Sequence, residues 1–212
     1  LLGMGDALYE RGNYSDALCY YKQATAFDPG CARCYRGQGN ALCAQGEFNK
    51  SLPLFDKTLS LVPSDVDALL GKGLALAALG NSSSALKCFQ EIVSVQPGNY
   101  AAWSNLGSLQ AASGKTDEAA RSLEAACRAD SSREDVWYNL GQVYYSLGRF
   151  NQSADAFQNA ARQNPEDAAA WLGLGLAHSQ IGRLDEALQS FEKAVLLQPQ
   201  NVDARYYRGL AL

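Results

Sequence analysis

Residues 137–165 read WYNLGQVYYSLGRFNQSADAFQNAARQNP and contain the pattern that decides the fold. In the first half of this stretch, Trp137, Leu140, Gly141 and Tyr144 lie at i, i+3, i+4 and i+7. This spacing places the four residues on one face of a helix. The stretch therefore begins with an amphipathic helix.

A break and a second helix follow in the same stretch. Gly148 suits the left-handed backbone position that commonly ends a helix, and Asn151 has a short polar side chain suited to capping the next one. Phe157 and Ala160 then continue a helical face until Pro165, because proline cannot extend a helical hydrogen-bond ladder. The stretch predicts a pair of antiparallel helices.

This unit recurs along nearly the whole chain, because glycine returns every 34 residues in two series that are seven residues apart. A fixed period of this size indicates a solenoid, in which each unit buries its apolar face against its neighbours. The first series is Gly5, Gly39, Gly73, Gly107, Gly141, Gly175 and Gly209, and the second is Gly12, Gly46, Gly80, Gly114, Gly148 and Gly182.

Side-chain size also alternates at fixed positions of the second helix. Small residues let two helices approach closely and bulky residues fill the remaining space, so we expect both sets in the core. The small set is Ala17, Ser51, Ala85, Ala119, Ser153 and Ala187, and the bulky set is Tyr21, Phe55, Phe89, Leu123, Phe157 and Phe191.

Composition and charge limit the classes of partner that the chain is expected to bind. The chain has 212 residues, is 47% hydrophobic and carries a net charge of -4. Its most apolar stretch, 68–79, is interrupted by Lys72 and is shorter than the roughly 20 residues of a transmembrane helix, so we expect no membrane insertion. The basic residues form no stripe, which argues against nucleic acid as a partner. Arg33 and Arg36 are the densest local pair, and they either meet a carboxylate or remain solvated.

The motif residues resemble the tetratricopeptide repeat pattern W-x2-L-G-x2-Y, A-x3-F and P. Residues 137–165 match it at Trp137, Leu140, Gly141, Tyr144, Ser153, Phe157 and Pro165, and the next unit matches at Trp171, Leu174, Gly175, His178, Ala187, Phe191 and Pro199. The resemblance covers essentially the whole chain. It implies an all-α, right-handed superhelical solenoid of antiparallel helix pairs, in one array of repeats at 1–31, 32–65, 66–99, 100–133, 134–167 and 168–201, with a partial repeat at 202–212.

The chain departs from the family pattern at a few positions. Ser131 replaces the terminal proline of the fourth repeat. Gln38, Lys72 and Arg208 replace the usual apolar residue before the glycine, and we expect looser packing there.

For function, the resemblance implies a concave groove, lined by the first helix of each repeat, that holds an extended peptide or a partner helix. The matching positions are Arg36, Asn40, Leu70, Leu74, Ser104, Asn105, Ser108, Tyr138, Asn139, Gln142, Tyr145, Leu172 and Leu176. The basic residue set with which some family members bind a C-terminal carboxylate is not reproduced. Asn105 and Asn139 occupy equivalent positions, and their amides either contact a peptide backbone or are ordinary polar surface.

Enzymatic chemistry finds little support in the sequence. The only histidine, His178, occupies the position that Tyr144 has one repeat earlier, and no residue in the repeat pattern stands out as its partner. A general base needs such a positioned partner. We therefore interpret His178 as a packing residue and expect neither catalysis nor a cofactor.

Six cysteines raise the question of metal or disulfide chemistry. Cys31 and Cys34 form a single C-x-x-C pair, whereas a structural zinc site needs four ligands, so we expect no metal. Most of the cysteines are interpreted as small hydrophobic residues. Cys31 with Cys34, or Cys34 with Cys43, remain candidate disulfides for an oxidising compartment.

Four N-glycosylation acceptor sequences fall between the two helices of a repeat, at Asn13, Asn49, Asn81 and Asn151. Two explanations are open. Either the asparagines carry glycans, or the preference for Asn and Ser as helix caps generates the motif.

Two functional hypotheses follow. The first is a non-enzymatic interaction scaffold that binds a protein or peptide in the groove, and a cytoplasmic location would fit it. The second is an extracellular structural subunit, N-glycosylated at its turns, whose copies stack end to end into a filament. Because neither end has a polar cap, we expect either a segment of a longer array or ends that complete one another between molecules.

Overall fold

A computed structural model describes residues 1–211, and this part of the chain contains thirteen α-helices and no strands. The all-α solenoid fold predicted from the sequence is confirmed. The helices are α1 (Leu2–Glu10), α2 (Tyr14–Phe27), α3 (Ala32–Ala44), α4 (Phe48–Leu61), α5 (Val66–Ala78), α6 (Ser82–Val95), α7 (Tyr100–Ala112), α8 (Thr116–Ala129), α9 (Glu134–Ser146), α10 (Phe150–Gln163), α11 (Ala168–Gln180), α12 (Leu184–Leu197) and α13 (Val202–Leu210).

The helices form two compact units. Unit 1 is Leu1–Pro97 with α1 to α6, and unit 2 is Gly98–Leu212 with α7 to α13. Within each unit every helix packs on the next one in the chain. Successive odd-numbered helices also touch one another from α1 to α5 in unit 1 and from α7 to α11 in unit 2. The odd-numbered helices therefore lie side by side in each unit.

Each turn between paired helices is built on a glycine with positive φ, as predicted. Gly148 has a φ of 70°, which L-residues with side chains rarely adopt. Its N–H donates to the Tyr145 carbonyl at 3.0 Å, and the Arg149 N–H donates to the Tyr144 carbonyl at 2.9 Å. These two bonds close the end of α9 in the manner of a Schellman motif.

The expected cap of α10 was wrong. Arg149 is the N-cap, without a side-chain hydrogen bond, and Asn151 lies inside the first turn of the helix. Asn13 and Asn81 do cap their helices, and each follows its glycine directly. The turn therefore places the cap immediately after the glycine, two positions before Asn151.

The core places one bulky side chain between glycines of two successive odd-numbered helices. A Cβ added to Gly141 would lie 2.8 Å from the Phe157 ring, and a Cβ added to Gly173 would lie 2.6 Å from it. Phe55 has the same relation to Gly39 and Gly71. Since Cβ atoms do not approach an aromatic ring this closely, each ring excludes any larger residue at both positions. Every member of the predicted small and bulky sets is buried.

At two of the positions where we expected looser packing, the polar side chain has a hydrogen-bond or ion-pair partner. Gln38 is 5% exposed, and its Nε2 donates to the Thr25 hydroxyl at 3.0 Å and to the Tyr21 carbonyl at 3.4 Å. Lys72 is ion-paired with Asp56, with Nζ and Oδ1 2.6 Å apart. These residues keep their positions because their polar groups are not left without partners.

Within residues 1–211, none of the helices combines the length and apolar character that crossing a bilayer requires.

Candidate functional site

A cavity of about 260 Å³ lies between α9 and α11 of unit 2. Five of the predicted groove positions line it, together with Phe157, Ala169 and Gly173. The five are Tyr138, Gln142, Tyr145, Leu172 and Leu176. We call this cavity, with these lining residues, the α9–α11 groove.

The floor of the groove is set by the packing of the core. Phe157 is 3% exposed, and the absence of a side chain at Gly173 lets α11 lie directly against its ring. Tyr138 meets the same ring edge to face, with 5.6 Å between centroids. This is a favourable arrangement for two aromatic rings, so the groove has a rigid apolar base.

The wall of the groove mixes apolar and polar groups. Gln142 Nε2 donates to the Tyr138 hydroxyl at 3.0 Å, and Tyr145 packs edge to face on Phe150 at 5.2 Å. These contacts hold the α9 side chains in place without covering the cavity. The groove therefore offers fixed aromatic surface with a hydroxyl and an amide beside it.

Two carboxylates lie at the first residues of the helices that border the groove. Asp167 caps α11, accepting hydrogen bonds from the backbone N–H groups of Ala169 and Ala170 at 3.0 and 3.1 Å. Glu134 is the first residue of α9. Burial and the interaction with the neighbouring Asp167 carboxylate raise the pKa of Glu134. The sequence reasoning missed both residues.

The predicted groove positions of unit 1 have a different environment. Arg36 and Asn40 line a cavity of about 250 Å³ with Asp6, Glu10 and Arg33. Arg33 pairs with Asp6 at 3.0 Å. Both arginines that stood out in the sequence thus meet carboxylates of this same unit.

Leucines occupy the equivalent α5 positions. Leu70 is half-buried, and Leu74 is 45% exposed. Neither leucine lines the Arg36–Asn40 cavity or the cavity formed by Leu69, Lys72 and Cys88.

The asparagine pair is not equivalent in the structure. Asn105 Nδ2 donates to the Ala101 carbonyl of its own helix at 2.8 Å, so one of its two donor positions is occupied. Asn139 is half-buried on α9. Ser104 is half-buried and Ser108 exposed on α7. Backbone recognition by Asn105 and Asn139 stays a prediction.

A further cavity of unit 2, about 290 Å³ in volume, lies among α8, α9 and α10 and was also missed. The Tyr144 hydroxyl donates to Glu124 there at 2.6 Å, and burial followed by this bond raises the pKa of Tyr144. Burial raises the pKa of Cys127 to about 12. These groups are therefore neutral near pH 7 and unsuited to acid–base or thiolate chemistry. A cavity with Leu69, Lys72 and Cys88 lies at the same repeat positions in unit 1.

His178 is half-buried, and its Nδ1 has no hydrogen-bond partner among the described atoms. Burial lowers the pKa of its imidazole, which keeps the ring neutral near pH 7. No group of three His, Cys, Asp or Glu residues between positions 1 and 211 is placed to hold a metal ion.

The cysteines differ in their surroundings. Cys31 and Cys34 are joined by a disulfide at the start of α3, whereas Cys43 has a free thiol that donates to the Ser51 hydroxyl at 3.1 Å. Cys88 and Cys127 are buried. The structure thus brings together the first of the two predicted cysteine pairs and leaves Cys43 apart from it.

The four glycosylation acceptors fall into two kinds. Asn13 and Asn81 are exposed helix caps followed by exposed serines. Asn49 and Asn151 are exposed too, but Ser51 is fully buried with its hydroxyl donating to the Phe48 carbonyl at 2.8 Å, as Ser153 donates to Gly141. Core packing alone thus accounts for these two serines, and glycosylation of all four asparagines stays a prediction.

Comparison with known proteins gives a family and a fold. The family model for the tetratricopeptide repeat matches residues 2–66, 36–86, 70–134, 138–196 and 178–212. No curated protein shows significant sequence similarity to the chain.

Many solved structures share the fold. YrrB, described as a TPR protein with an unusual peptide-binding site, is 20% identical, with a TM-score of 0.76, and the match covers 89% of this chain and 97% of YrrB. PilF of Pseudomonas aeruginosa is 16% identical, with a TM-score of 0.84 and coverage of 99% and 95%. MamA is 25% identical, with a TM-score of 0.71 and coverage of 76% and 95%.

Proposed function

This chain belongs to the tetratricopeptide repeat family, and on that premise we propose that it is a protein–protein interaction scaffold that binds an extended peptide or a partner helix in the α9–α11 groove. The fold itself suggests such a scaffold, and YrrB is described as having a peptide-binding site. The observation that carries the proposal is the cavity lined by Tyr138, Tyr145, Leu172 and Leu176.

The size and lining of the groove support a peptide more than a cofactor. Small-molecule and cofactor sites are typically about 300–1,000 Å³ and enclose most of their ligand. The groove is slightly smaller, at about 260 Å³, and is only partly enclosed. It suits one or two side chains of a longer ligand, with the Tyr138 hydroxyl and the Gln142 amide beside them.

The proposal assigns no catalytic role to the described residues. Members of this family are generally scaffolds without enzymatic activity. The buried Cys127, with its raised pKa, and His178, with its lowered pKa, give no activated nucleophile or paired general base.

The test compares matched variants of the two units. A displayed library of random peptides about 12 residues long, enough to cross several helices as an extended strand, is selected on the 212-residue chain. The selected peptides are then measured on Leu172→Gln/Leu176→Gln and on Leu70→Gln/Leu74→Gln, the equivalent positions three repeats earlier.

We expect the first variant to weaken binding by about tenfold or more, since two apolar contacts are lost, and the second to leave it unchanged. Circular dichroism of both variants checks that they remain folded. A selection that yields no peptide sensitive to the first variant would overturn the proposal.

The filament hypothesis stays a prediction, and the assembly state of the purified chain tests it. Light scattering over a concentration series would show growth into long species if copies stack end to end. A mass that does not change with concentration would exclude such stacking.

A further inference from the structure

One position of the repeat holds a charged arginine in unit 1 and a neutral tyrosine in unit 2. Arg36 of α3 and Tyr138 of α9 are three repeats apart, and so are Asp65 and Asp167, the caps of α5 and α11. In each pair the cap follows 29 residues after the groove residue. The two sites can therefore be compared position by position.

In unit 1 this site is filled by a guanidinium of the chain itself. Arg36 Nη1 lies 2.9 Å from both carboxylate oxygens of Asp65 and 3.0 Å from Asp67. The Arg36 and Asp65 side chains are 22% and 12% exposed. A cap carboxylate at this position of the fold thus binds a guanidinium while it also accepts the backbone N–H of Ala68.

In unit 2 the carboxylate is retained and the guanidinium is not. Tyr138 replaces the arginine, and no lysine or arginine within residues 1–211 is ion-paired with Asp167 or Glu134. Arg133, the nearest basic residue in the sequence, pairs with Asp135 at 3.3 Å and lies over the Tyr100 ring. The Glu134–Asp167 pair therefore has negative charge that no basic residue of the chain neutralises.

The α9–α11 groove lies next to this pair. Tyr138 and Ala169 line the groove; Tyr138 is one helical turn after Glu134 on α9, and the Ala169 N–H donates to Asp167 at 3.0 Å. Burial, with the charges of Asp167 and Glu134, raises the pKa of the Tyr138 hydroxyl. Both carboxylates therefore lie at helix starts next to residues that line the groove.

We propose that the α9–α11 groove selects peptides that carry an arginine next to an apolar residue, with the guanidinium bound by Glu134 and Asp167 and the apolar side chain held against Leu172 and Leu176. This inference rests on the proposed function and adds the chemistry of the ligand. The proposed contact between the ligand guanidinium and Asp167 has the Arg36–Asp65 pair of unit 1 as its precedent within the molecule.

Arginine fits better than lysine for two reasons. Its planar fork can bond two carboxylates at once, and it is less strongly hydrated than an ammonium group. It also stacks on aromatic rings, as Arg133 does on Tyr100 at 4.9 Å from the ring centroid. Tyr138 supplies such a ring beside the carboxylates.

The experiment uses the peptides selected on the 212-residue chain that depend on Leu172 and Leu176. Their sequences are compared with the unselected library, and the best binder is made with arginine and with citrulline, its neutral isostere. Both peptides are titrated by fluorescence polarisation against the unmodified chain and against Glu134→Gln/Asp167→Asn. Asparagine remains a good helix cap, so this variant keeps the start of α11 intact.

A second variant controls for net charge. Asp185→Asn/Glu192→Gln removes two exposed carboxylates from α12, which contributes no residue to the α9–α11 groove. We expect arginine to be enriched among the selected peptides. Citrulline should weaken binding to the unmodified chain by about tenfold, and much less to Glu134→Gln/Asp167→Asn, while the α12 variant behaves like the unmodified chain.

The outcomes separate the two proposals. Groove-dependent peptides without arginine enrichment, or with equal citrulline losses on the unmodified chain and on Glu134→Gln/Asp167→Asn, would overturn the arginine inference and leave the scaffold function standing. If no selected peptide depends on Leu172 and Leu176, the scaffold proposal fails and the arginine inference fails with it.

Discussion

Unit 1 and unit 2 use the same repeat position in different ways. In unit 1, Arg36 neutralises Asp65 and Asp67, so the charges at this site are paired within the fold. In unit 2, Tyr138 occupies the arginine position and lines a cavity, while Asp167 caps α11 without an ion pair to any described lysine or arginine. The difference shows how a repeat scaffold separates stability from recognition. A position whose polar groups are satisfied internally stabilises the fold, whereas one left unneutralised is available to a ligand.

The largest expected effect tests whether the core phenylalanine of each unit contributes equally to stability. Phe55→Ala in unit 1 and Phe157→Ala in unit 2 should each lower the free energy of unfolding by about 3–5 kcal/mol, because both rings are buried and a cavity would remain. Urea denaturation measures both. A loss in one unit that is less than half of that in the other would show that the two floors are not equivalent.

The second prediction concerns the glycines that let a helix lie directly against the Phe55 ring in unit 1 and the Phe157 ring in unit 2. Alanine normally favours a helix over glycine by about 1 kcal/mol. Even so, Gly173→Ala and Gly71→Ala should destabilise the chain by about 1–3 kcal/mol, since the new Cβ would overlap the Phe157 or Phe55 ring. Gly3→Ala is the control, because no atom lies within 4 Å of its added Cβ. Thermal denaturation should show a lower melting temperature for the first two variants only.

The third prediction concerns the Arg36–Asp65 ion pair, which unit 1 has and unit 2 lacks. Arg36→Met should cost about 1–3 kcal/mol, because it leaves the largely buried Asp65 without its charged partner. Tyr138→Arg should do the reverse in unit 2 by supplying Asp167 with a guanidinium, and it should also abolish binding of arginine peptides. Urea denaturation and peptide titration are the measurements. If Tyr138→Arg keeps full peptide affinity, the comparison of the two sites is wrong.

The smallest expected effect is a pH dependence. Burial, with smaller contributions from Asp167 and Asp135, raises the pKa of Glu134 in the folded chain above its ordinary value of 4.5. The folded state therefore holds this proton more tightly than the unfolded state, and stability falls as pH rises through the raised pKa. Glu134→Gln removes this loss.

The variant should be more stable than the unmodified chain at neutral pH, by less than about 1 kcal/mol because the site is partly solvated. The advantage should disappear well below pH 4.5, where Glu134 is protonated in both states. Glu192→Gln, at an exposed site on α12, is the control. A Glu134→Gln advantage that stays constant with pH would rule out the raised pKa of Glu134 as its cause.

The core could be predicted from the sequence because its determinants repeat. Gly141, Gly148 and Phe157 each have counterparts every 34 residues, and packing allows few residue types at those positions. The start of α10 was mispredicted, although the chain held the signal. Asn13 and Asn81 directly follow the left-handed glycine and cap their helices, whereas Asn151 comes three residues after Gly148 and is already inside the helix.

The rim of the groove could not be found from motif residues alone. Glu134 and Asp167 are 33 residues apart and belong to different helices, so only the packing of α9 beside α11 brings them together. Neither position belongs to the family motif. An alignment of the repeats pairs Asp65 with Asp167 and Arg36 with Tyr138. That alignment would have revealed that the aspartate is kept in unit 2 while the arginine is replaced by tyrosine.

The bulky side chains of the core have a consequence for how the array folds. Phe157 is enclosed by Gly141 of its own helix pair and by Gly173 of the next, so one ring stabilises a helix pair and couples it to its neighbour. The stability of a pair and the cooperativity between pairs therefore cannot be varied independently at this position. A helix pair that loses its successor leaves half of its ring uncovered, which favours concerted unfolding of adjacent pairs within a unit.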